Sequence, residues 1–248
     1  MLSKRLIPIL LLKDGGLMKS KQFTDWKYVG DPLNTAKIFN DKDTDELIIL
    51  DVDATREGRE PEYEVLRELA AECFLPICYG GGVSSPEIAQ KVTRCGIDKV
   101  AINAAILEKP GIIRQTSDVI GSSSTVASLD ILLTRGKYEL LGQPDVRIWD
   151  LVAQLESLGA GEALIQSVDK DGTKSGPDLD LAAKMLKSTE LPIVYAGGVS
   201  SLKDSAALWK LGIGGVAAGS WFVFSGRRDA VLVTYPLRRM VDASLGFL

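Results

Sequence analysis

Histidine is absent from this chain of 248 residues. Its absence excludes nucleophiles activated by histidine and leaves proton transfer near neutral pH to carboxylates, lysine, tyrosine or cysteine. The three cysteines, Cys73, Cys78 and Cys95, lack the spacing of a metal site. We therefore expect buried, reduced thiols in a cytoplasmic protein, with no metal and no cofactor.

Basic clusters and long apolar runs are missing as well. The formal net charge is −4, so nucleic acid is not an expected partner. The apolar run Leu6–Leu12 lies between basic residues, is too short to cross a membrane and precedes no small-residue cleavage site. We interpret this run as a buried strand and expect no membrane partner.

A long internal repeat organises the chain. The segment Leu75–Ser85 returns as Leu191–Ser201 with nine of eleven residues identical, at an offset of 116. The same offset aligns Cys95–Ala101 with Leu211–Ala217 without a gap. Solenoid repeats are much shorter, so this pattern indicates a duplicated half-domain.

Each half alternates short apolar runs with amphipathic segments. Continuous runs rich in Ile, Val and Leu are typical of parallel strands that are buried on both faces. The amphipathic segments include Glu62–Cys73, Ser85–Arg94 and Leu202–Lys210, with Ser84 and Ser200 as expected N-caps. The eight predicted strands are Leu6–Leu12, Leu47–Val52, Leu75–Tyr79, Lys99–Ile102, Val126–Leu132, Ala163–Val168, Leu191–Tyr195 and Gly215–Ala218. We predict a single α/β domain over residues 1–248, a (β/α)8 TIM barrel built from two (βα)4 halves, with a doubly wound open sheet as the alternative.

Glycine pairs follow matching strands of the two halves. Loops after the seventh and eighth strands of such barrels often bind phosphate, and glycine lets backbone N–H groups approach an anion closely. The loop after the sixth strand adds further donors. The candidate phosphate or substrate ligands are Gly197, Gly198, Gly219 and Ser220 in one half, Gly81, Gly82 and Asn103 in the other, and Asp171, Gly172 and Thr173 in the sixth loop. Two sites on opposite sides of the mouth predict a small-molecule ligand with a phosphate at each end.

Several longer motifs carry a family resemblance. They are Lys13–Gly15, Tyr79–Gly82, Asp98–Asn103, Gly159–Glu162 and Asp169–Lys174, together with the first eight residues. From residue 1 to about residue 224 the chain resembles the cyclase (HisF-type) subunit of imidazole glycerol phosphate synthase. The resemblance implies a (β/α)8 barrel that takes ammonia from a glutaminase (HisH-type) partner at its N-terminal face and acts on a bisphosphorylated substrate.

The resemblance also implies an ammonia gate of four charged residues: Arg5, Glu46, Lys99 and Glu162. Each of these residues opens a predicted strand. Side chains two apart share a face of a strand, so Arg5 lies on the face of Ile7 and Ile9. We expect the four charges to pair at the floor of the barrel, since burial requires partners. The alternative is an ordinary solvated rim.

The catalytic pair of the resembled family is incomplete. The family has two acid/base aspartates at the tops of the first and fifth strands, and the second is present as Asp130. The first position holds Leu11, which cannot transfer a proton. Further departures at the mouth are Gln166, Ala196, the shorter loop Thr134–Asp145 and the extended-looking segment Arg227–Pro236 with a displaced last helix.

Three functions stay open at this point. The first is a barrel subunit of a glutamine-dependent amidotransferase that conducts ammonia to an acceptor outside histidine synthesis. The departures resemble a paralogue group associated with surface polysaccharides, which implies amidination of an acetamido sugar by a separate sugar amidotransferase. The second is the cyclase of histidine biosynthesis, with Asp14 or Asp51 replacing the missing aspartate. The third is a non-catalytic scaffold that keeps only a phosphate ligand.

The segment Lys13–Asp31 is long for a connection in a compact domain, which indicates a functional or disordered loop. In the resembled family the matching loop is a mobile lid, and Lys19 falls on a lysine that contacts the substrate. A solvated loop is the alternative.

Overall fold

The computed structural model describes residues 4–22, 24–226 and 228–245, and its centre is a closed barrel of eight parallel strands. The barrel strands run in the order β1, β4, β5, β6, β7, β9, β10 and β11, and β11 pairs with β1 to close the ring. The (β/α)8 prediction is therefore confirmed, and the open sheet is excluded. The strands are β1 (Arg5–Lys13), β2 (Gly16–Lys21), β3 (Thr24–Gly30), β4 (Leu47–Asp51), β5 (Ile77–Gly80), β6 (Lys99–Ile102), β7 (Thr125–Thr134), β8 (Lys137–Leu140), β9 (Glu162–Ser167), β10 (Ile193–Ala196), β11 (Gly215–Ala218), β12 (Phe224–Ser225) and β13 (Ala230–Val231).

Helices cover the outside of the barrel between successive strands. They are α1 (Pro32–Asn40), α2 (Tyr63–Glu72), α3 (Pro86–Arg94), α4 (Ala104–Glu108), α5 (Ile112–Ile120), α6 (Ile148–Gln154), α7 (Leu179–Ser188), α8 (Leu202–Leu211), α9 (Ser220–Val223) and α10 (Arg238–Leu245). Among the described residues, no helix has the length and apolarity that a membrane crossing requires. The three cysteines are buried and unbridged.

Two strands begin two residues later than the apolar runs suggest. β5 starts at Ile77 and β10 at Ile193, each directly after a proline. Proline has no N–H to donate to a ladder, so regular pairing begins after Pro76 and Pro192.

The helix caps correct the sequence prediction by one residue. Ser85, not Ser84, caps α3, because its Oγ accepts a hydrogen bond from the Ile88 N–H. Likewise Ser201, not Ser200, caps α8 through the Asp204 N–H. Pro86 occupies the first turn of α3, so the cap is the residue directly before it.

The first strand of each half extends beyond the barrel as a hairpin. β1 turns through Asp14 and Gly15, at φ of 50° and 72°, into the antiparallel pair β2–β3. β7 turns through Arg135 and Gly136, at φ of 50° and 79°, into β8. The segment Lys13–Asp31, expected as a loop, is therefore mostly regular β-structure.

The end of the chain leaves the barrel pattern. β12 and β13 form a short hairpin, residues 232–237 have no regular structure, and α10 follows. The Tyr235 hydroxyl donates to the Leu6 carbonyl at 2.7 Å, and Arg238 contacts Asp45 at 2.8 Å. As expected, residues 228–236 contain no helix, and the last helix begins only at Arg238, while Arg227 lies outside the described residues.

Candidate functional site

Four charged residues form a closed ring of ion pairs at the N-terminal end of the barrel: three begin β1, β6 and β9, and Glu46 directly precedes β4. Arg5 contacts both Glu46 and Glu162. The Lys99 ammonium lies 3.0 Å from Glu46 and 2.9 Å from Glu162. Each cation therefore touches both carboxylates, and each carboxylate touches both cations. The structure brings the expected charges together, and we call them the axial ring.

Burial and pairing compete in the axial ring, and pairing prevails. Burial is the largest single influence on the pKa of Arg5 and lowers it, but Glu162 and Glu46 together raise that pKa above its ordinary value. The pKa of Lys99 is raised in the same way by the two glutamates. Both cations therefore stay charged across the physiological pH range, and Glu46 and Glu162 are themselves buried.

An apolar lumen begins directly above the axial ring. Inward side chains from all eight barrel strands form a small apolar cluster, to which β7 contributes only Val126. This cluster is separate from the larger core between the sheet and the helices. Its buried members are Ile7, Ile9, Ile48, Cys78, Ala101, Val126, Leu164, Val194, Ala196 and Ala217. Ala196, one of the departures expected at the mouth, belongs to this cluster. The lumen contains no charged side chain among these members, so it offers an apolar environment along the axis.

The strand register shows that Leu11 and Asp130 occupy equivalent places. Leu11 pairs with Leu50 on β4, and Asp130 pairs with Gln166 on β9. Leu50 and Gln166 are themselves related by the repeat offset of 116. Leu11 is 3% exposed, so an apolar side chain fills the position opposite Asp130.

Asp130 has the perturbed acidity that acid/base work requires. Burial raises the pKa of Asp130 to about 6, the Asn103 side chain opposes that shift by hydrogen bonding, and the Asp171 charge adds to it. A carboxyl group near this value exchanges protons readily around neutral pH. Asn103, expected as a phosphate ligand, thus has its side chain at the candidate catalytic carboxylate.

A polar network links the β2–β3 hairpin to the mouth. The Gln166 amide donates to Asp171 at 3.1 Å, and the Lys19 ammonium lies 3.7 Å from the same carboxylate. Lys19 is 3% exposed, and a Cβ on Gly219 would collide with its side chain. Lys19 is therefore a buried cation beside the second-half glycines and not a solvated loop residue.

The second half contains a small cavity of about 10 Å³ at the expected phosphate ligands. Its lining consists of Ile9, Gln166, Asp171, Gly172, Lys174, Gly197, Gly198, Val199, Ala218, Gly219 and Ser220. Thr173 lies beside it and hydrogen-bonds the Lys170 carbonyl instead. We call this cavity the second-half cradle. Lys174 was not singled out by the sequence analysis, although the repeat places it opposite an uncharged Gly58.

The first-half cradle, at Gly81 and Gly82, has the same backbone and different neighbours. Gly81 and Gly82 have φ of 121° and 67°, against 118° and 77° for Gly197 and Gly198. The Gly82 N–H donates to the Thr55 hydroxyl at 3.2 Å. Arg59 pairs with both oxygens of Asp51 at 2.8 and 2.9 Å. The sequence analysis missed Thr55 and Arg59, since their positions depend on the loop conformation.

Fold and site together define a (β/α)8 barrel with a charged floor, an apolar lumen and a mouth suited to an anionic ligand. The family model described as "Histidine biosynthesis protein" matches residues 5–228. The chain therefore belongs to the histidine biosynthesis protein family.

Curated relatives cover nearly the whole chain. The chain is 41% identical over 247 residues to the "Putative imidazole glycerol phosphate synthase subunit hisF2" of Pseudomonas aeruginosa, spanning 95% of this chain and 97% of that protein. It is 40% identical to the corresponding hisF3 protein of Vibrio vulnificus, covering 95% and 94%. It is 34% identical to "Imidazole glycerol phosphate synthase subunit HisF" of Petrotoga mobilis, covering 90% and 91%. The chain is HisF-like.

Proposed function

We propose that this chain is the barrel subunit of a glutamine-dependent amidotransferase, and that it conducts ammonia from a glutaminase partner to an acceptor bound at its mouth. The observation that carries the proposal is the axial ring. Its four charges lie on the barrel axis, they neutralise one another, and an apolar lumen follows directly above them.

The ring and lumen suit a small neutral molecule better than an ion. An ion that entered the lumen would lose its hydration without gaining a partner, at a cost of several kcal/mol. Neutral ammonia carries no such penalty, and it can exchange hydrogen bonds with the ring residues as it passes. The ring thus acts as a filter that a purely structural barrel has no need for.

A partner is part of the proposal, because ammonia released into the cytoplasm is protonated and lost by diffusion. The names of the relatives describe subunits, which supports a complex. We propose that a glutaminase covers the rim around the axial ring with an interface of at least about 1,200 Å².

The mouth supports an acceptor chemistry that differs from that of a complete cyclase. Leu11 removes one of the two acid/base carboxylates, while Asp130 retains a pKa suited to proton transfer. We therefore place the acceptor outside histidine synthesis. The more specific hypothesis, amidination of a surface-polysaccharide sugar with a sugar amidotransferase as further partner, rests on the sequence resemblance alone. The second candidate is a cyclase of histidine biosynthesis, and the names of the relatives fit it without favouring it over the first.

Lys99→Ala tests ammonia conduction. In the variant both buried glutamates keep Arg5 as a partner but lose Lys99. We therefore expect a folded protein whose free energy of unfolding is lower by about 3 kcal/mol. An extract that contains the complex is supplied with glutamine labelled at its amide nitrogen and with excess unlabelled ammonium. Mass spectrometry of the product then shows whether its nitrogen came from glutamine or from ammonium. The parent complex should incorporate mostly label, and Lys99→Ala should incorporate mostly unlabelled nitrogen.

Lys91→Ala is the matched control. Lys91 pairs with Glu60 at 2.9 Å on the outer surface, where an exposed pair contributes less than about 1 kcal/mol. This variant should leave both stability and label incorporation unchanged. Equal label incorporation by Lys99→Ala and the parent would contradict conduction through the axial ring, and a chain that binds no glutaminase would favour the scaffold.

A further inference from the structure

The two halves of the barrel differ in the wall beside the axial ring. In the second half, β7 pairs with β9 from Val126 and Glu162 upward, so the ladder reaches the level of the ring. By the same register, the corresponding pair in the first half would be Ile7 and Glu46. The pairing of β1 with β4, however, begins two residues later. We call this gap in the wall, between Ile7 and Glu46, the floor seam.

A proline accounts for the floor seam. Pro8 has no N–H to donate to β4, whereas the equivalent Ala127 is part of the ladder between β7 and β9. Directly before the seam, Leu6 is fully buried, so its backbone N–H and carbonyl need partners. In the second half, the corresponding Thr125 carbonyl accepts the Gly161 N–H at 3.0 Å. The first half has to satisfy Leu6 in another way.

Side chains fill the floor seam, and two of them come from the far end of the chain. The Leu6 N–H donates to the Asp45 carboxylate at 2.8 Å, and the Leu6 carbonyl accepts from the Tyr235 hydroxyl at 2.7 Å. The other oxygen of Asp45 accepts from the Arg238 guanidinium at 2.8 Å. Asp45 stands where the repeat has Gly161, so the second half has no matching carboxylate.

These contacts lie directly beside two members of the axial ring. Leu6 follows Arg5 in β1, and Asp45 precedes Glu46 at the start of β4. The path of the backbone at Leu6 and Asp45 therefore decides where the Arg5 guanidinium and the Glu46 carboxylate can reach. Tyr235 is itself held in place, because its ring packs against Phe222 with centroids 5.4 Å apart.

We propose that Tyr235 and Arg238 are positioning residues for the axial ring. They act through Leu6 and Asp45, they replace the missing ladder at the floor seam, and they thereby fix the backbone that carries Arg5 and Glu46. The proposal rests on the proposed function only in one respect, namely that a displaced ring should conduct ammonia less well.

Tyr235→Phe tests the hydroxyl contact. The variant keeps the packing against Phe222 and loses the hydrogen bond to Leu6. We expect the NMR signals of the Arg5 guanidinium and of the Lys99 ammonium to shift, because the ring is repositioned. The Leu6 amide hydrogen should also exchange roughly fivefold faster, which corresponds to the loss of one hydrogen bond.

Tyr138→Phe is the matched control. The Tyr138 hydroxyl donates to Asp178 and Asp180, each at 3.0 Å, so this variant also loses a tyrosine hydroxyl with strong acceptors. Its partners belong to the start of α7 and not to the floor, so the signals of the axial ring should stay at their parent positions. Unshifted ring signals in Tyr235→Phe would overturn the proposal, whether or not that variant loses stability.

Two substitutions of Arg238 test the charged contact. Arg238→Lys keeps a cation for Asp45 and should leave the ring signals close to those of the parent. Arg238→Gln removes the charge and should shift them, but less than Tyr235→Phe does, because the Leu6 N–H still has Asp45 as its acceptor. Ring signals in Arg238→Gln that match the parent would contradict a positioning role for Arg238.

The nitrogen-labelling assay used for Lys99→Ala separates this proposal from ammonia conduction. Tyr235→Phe should incorporate a smaller share of glutamine nitrogen than the parent, and Tyr138→Phe should incorporate the same share. Shifted ring signals with unchanged incorporation would support the positioning role and contradict conduction through the axial ring. Reduced incorporation with unshifted ring signals would overturn the positioning role and leave conduction intact.

Discussion

The floor and the mouth of the barrel differ in how strongly their residues depend on one another. At the floor, each of four charges contacts two opposite charges, so the loss of any one leaves buried carboxylates or cations short of a partner. At the mouth, Leu11 stands where the resembled family has a carboxylate, and an apolar side chain needs no charged partner. A single substitution in the axial ring therefore disturbs its charged partners, whereas a substitution at Leu11 leaves no charge unpaired.

Under the proposed function, this difference would let one fold keep ammonia delivery while the chemistry at its mouth changes. Glu46 and Glu162 are related by the repeat offset of 116, whereas Arg5 and Lys99 both come from the first half, so the axial ring follows the duplication only in its glutamates. The repeat offset of 116 aligns Lys99 with Gly215, so the second half has no matching lysine. A Cβ added to Gly215 would lie 3.4 Å from the Arg5 guanidinium. The floor is thus a structure of the whole barrel, while the mouth keeps two separable halves.

The largest expected effect concerns the missing aspartate at the mouth. With ammonium salts in place of a glutaminase, the chain should cyclise the histidine-pathway ribonucleotide roughly 10²–10⁴ times more slowly than a complete cyclase, the value of one positioned acid/base group. Leu11→Asp should recover part of that rate. Rates are followed by the appearance of imidazole glycerol phosphate.

Leu11→Asn separates proton transfer from polarity in the same experiment. Its amide is similar in size to the carboxyl group and cannot act as an acid or base, so it should recover nothing. Near-complete turnover by the unmodified chain would show that the mouth has not lost its original chemistry, and the contrast between floor and mouth would disappear.

The second prediction uses the raised pKa of Asp130. An unfolded aspartate ionises near pH 4 and the folded Asp130 near pH 6, so between these values the unfolded state releases a proton that the folded state retains. Stability should therefore fall as pH rises from about 4 to about 6 and stay level above that, by at most about 3 kcal/mol. Urea denaturation midpoints are measured for the parent and for Asp130→Asn at several pH values. The difference between the two proteins gives the contribution of Asp130 ionisation to stability.

Asp118→Asn is the control, because Asp118 is exposed on α5 and the change removes a carboxylate far from the mouth. A pH-independent difference between the parent and Asp130→Asn would mean that the mouth does not desolvate this carboxyl group. Asp130 would then lose its role as the remaining acid/base residue.

Residue periodicity was sufficient for the barrel, since eight apolar runs gave eight strands. The four residues of the axial ring were implied by the family resemblance, and their positions at or directly before strand starts supported a meeting at one end of the barrel. The register further supports the equivalence of Leu11 and Asp130, which sequence comparison had suggested.

Loop conformation accounts for what the sequence analysis missed. The Asp14-Gly15 dipeptide is a hairpin signal in the sequence, and its left-handed angles in the structure fit the turn from β1 into β2. Thr55 and Arg59 carry no comparable pattern, because their contacts with Gly82 and Asp51 depend on where one loop folds over another. Long-range loop packing is set by the assembled barrel and not by any local period.

The smallest expected effect tests whether the mouth is stabilised by local contacts, in contrast to the long-range pairs of the floor. Ser85 caps α3 immediately after the first-half glycines, so Ser85→Ala should lower the free energy of unfolding by about 1 kcal/mol. Ser84→Ala is the matched control, because the neighbouring Ser84 is exposed and is not the cap. Its effect should stay within about 0.5 kcal/mol. Chemical denaturation of both variants measures the difference, and equal losses would move the cap back to the position that the sequence pattern indicated.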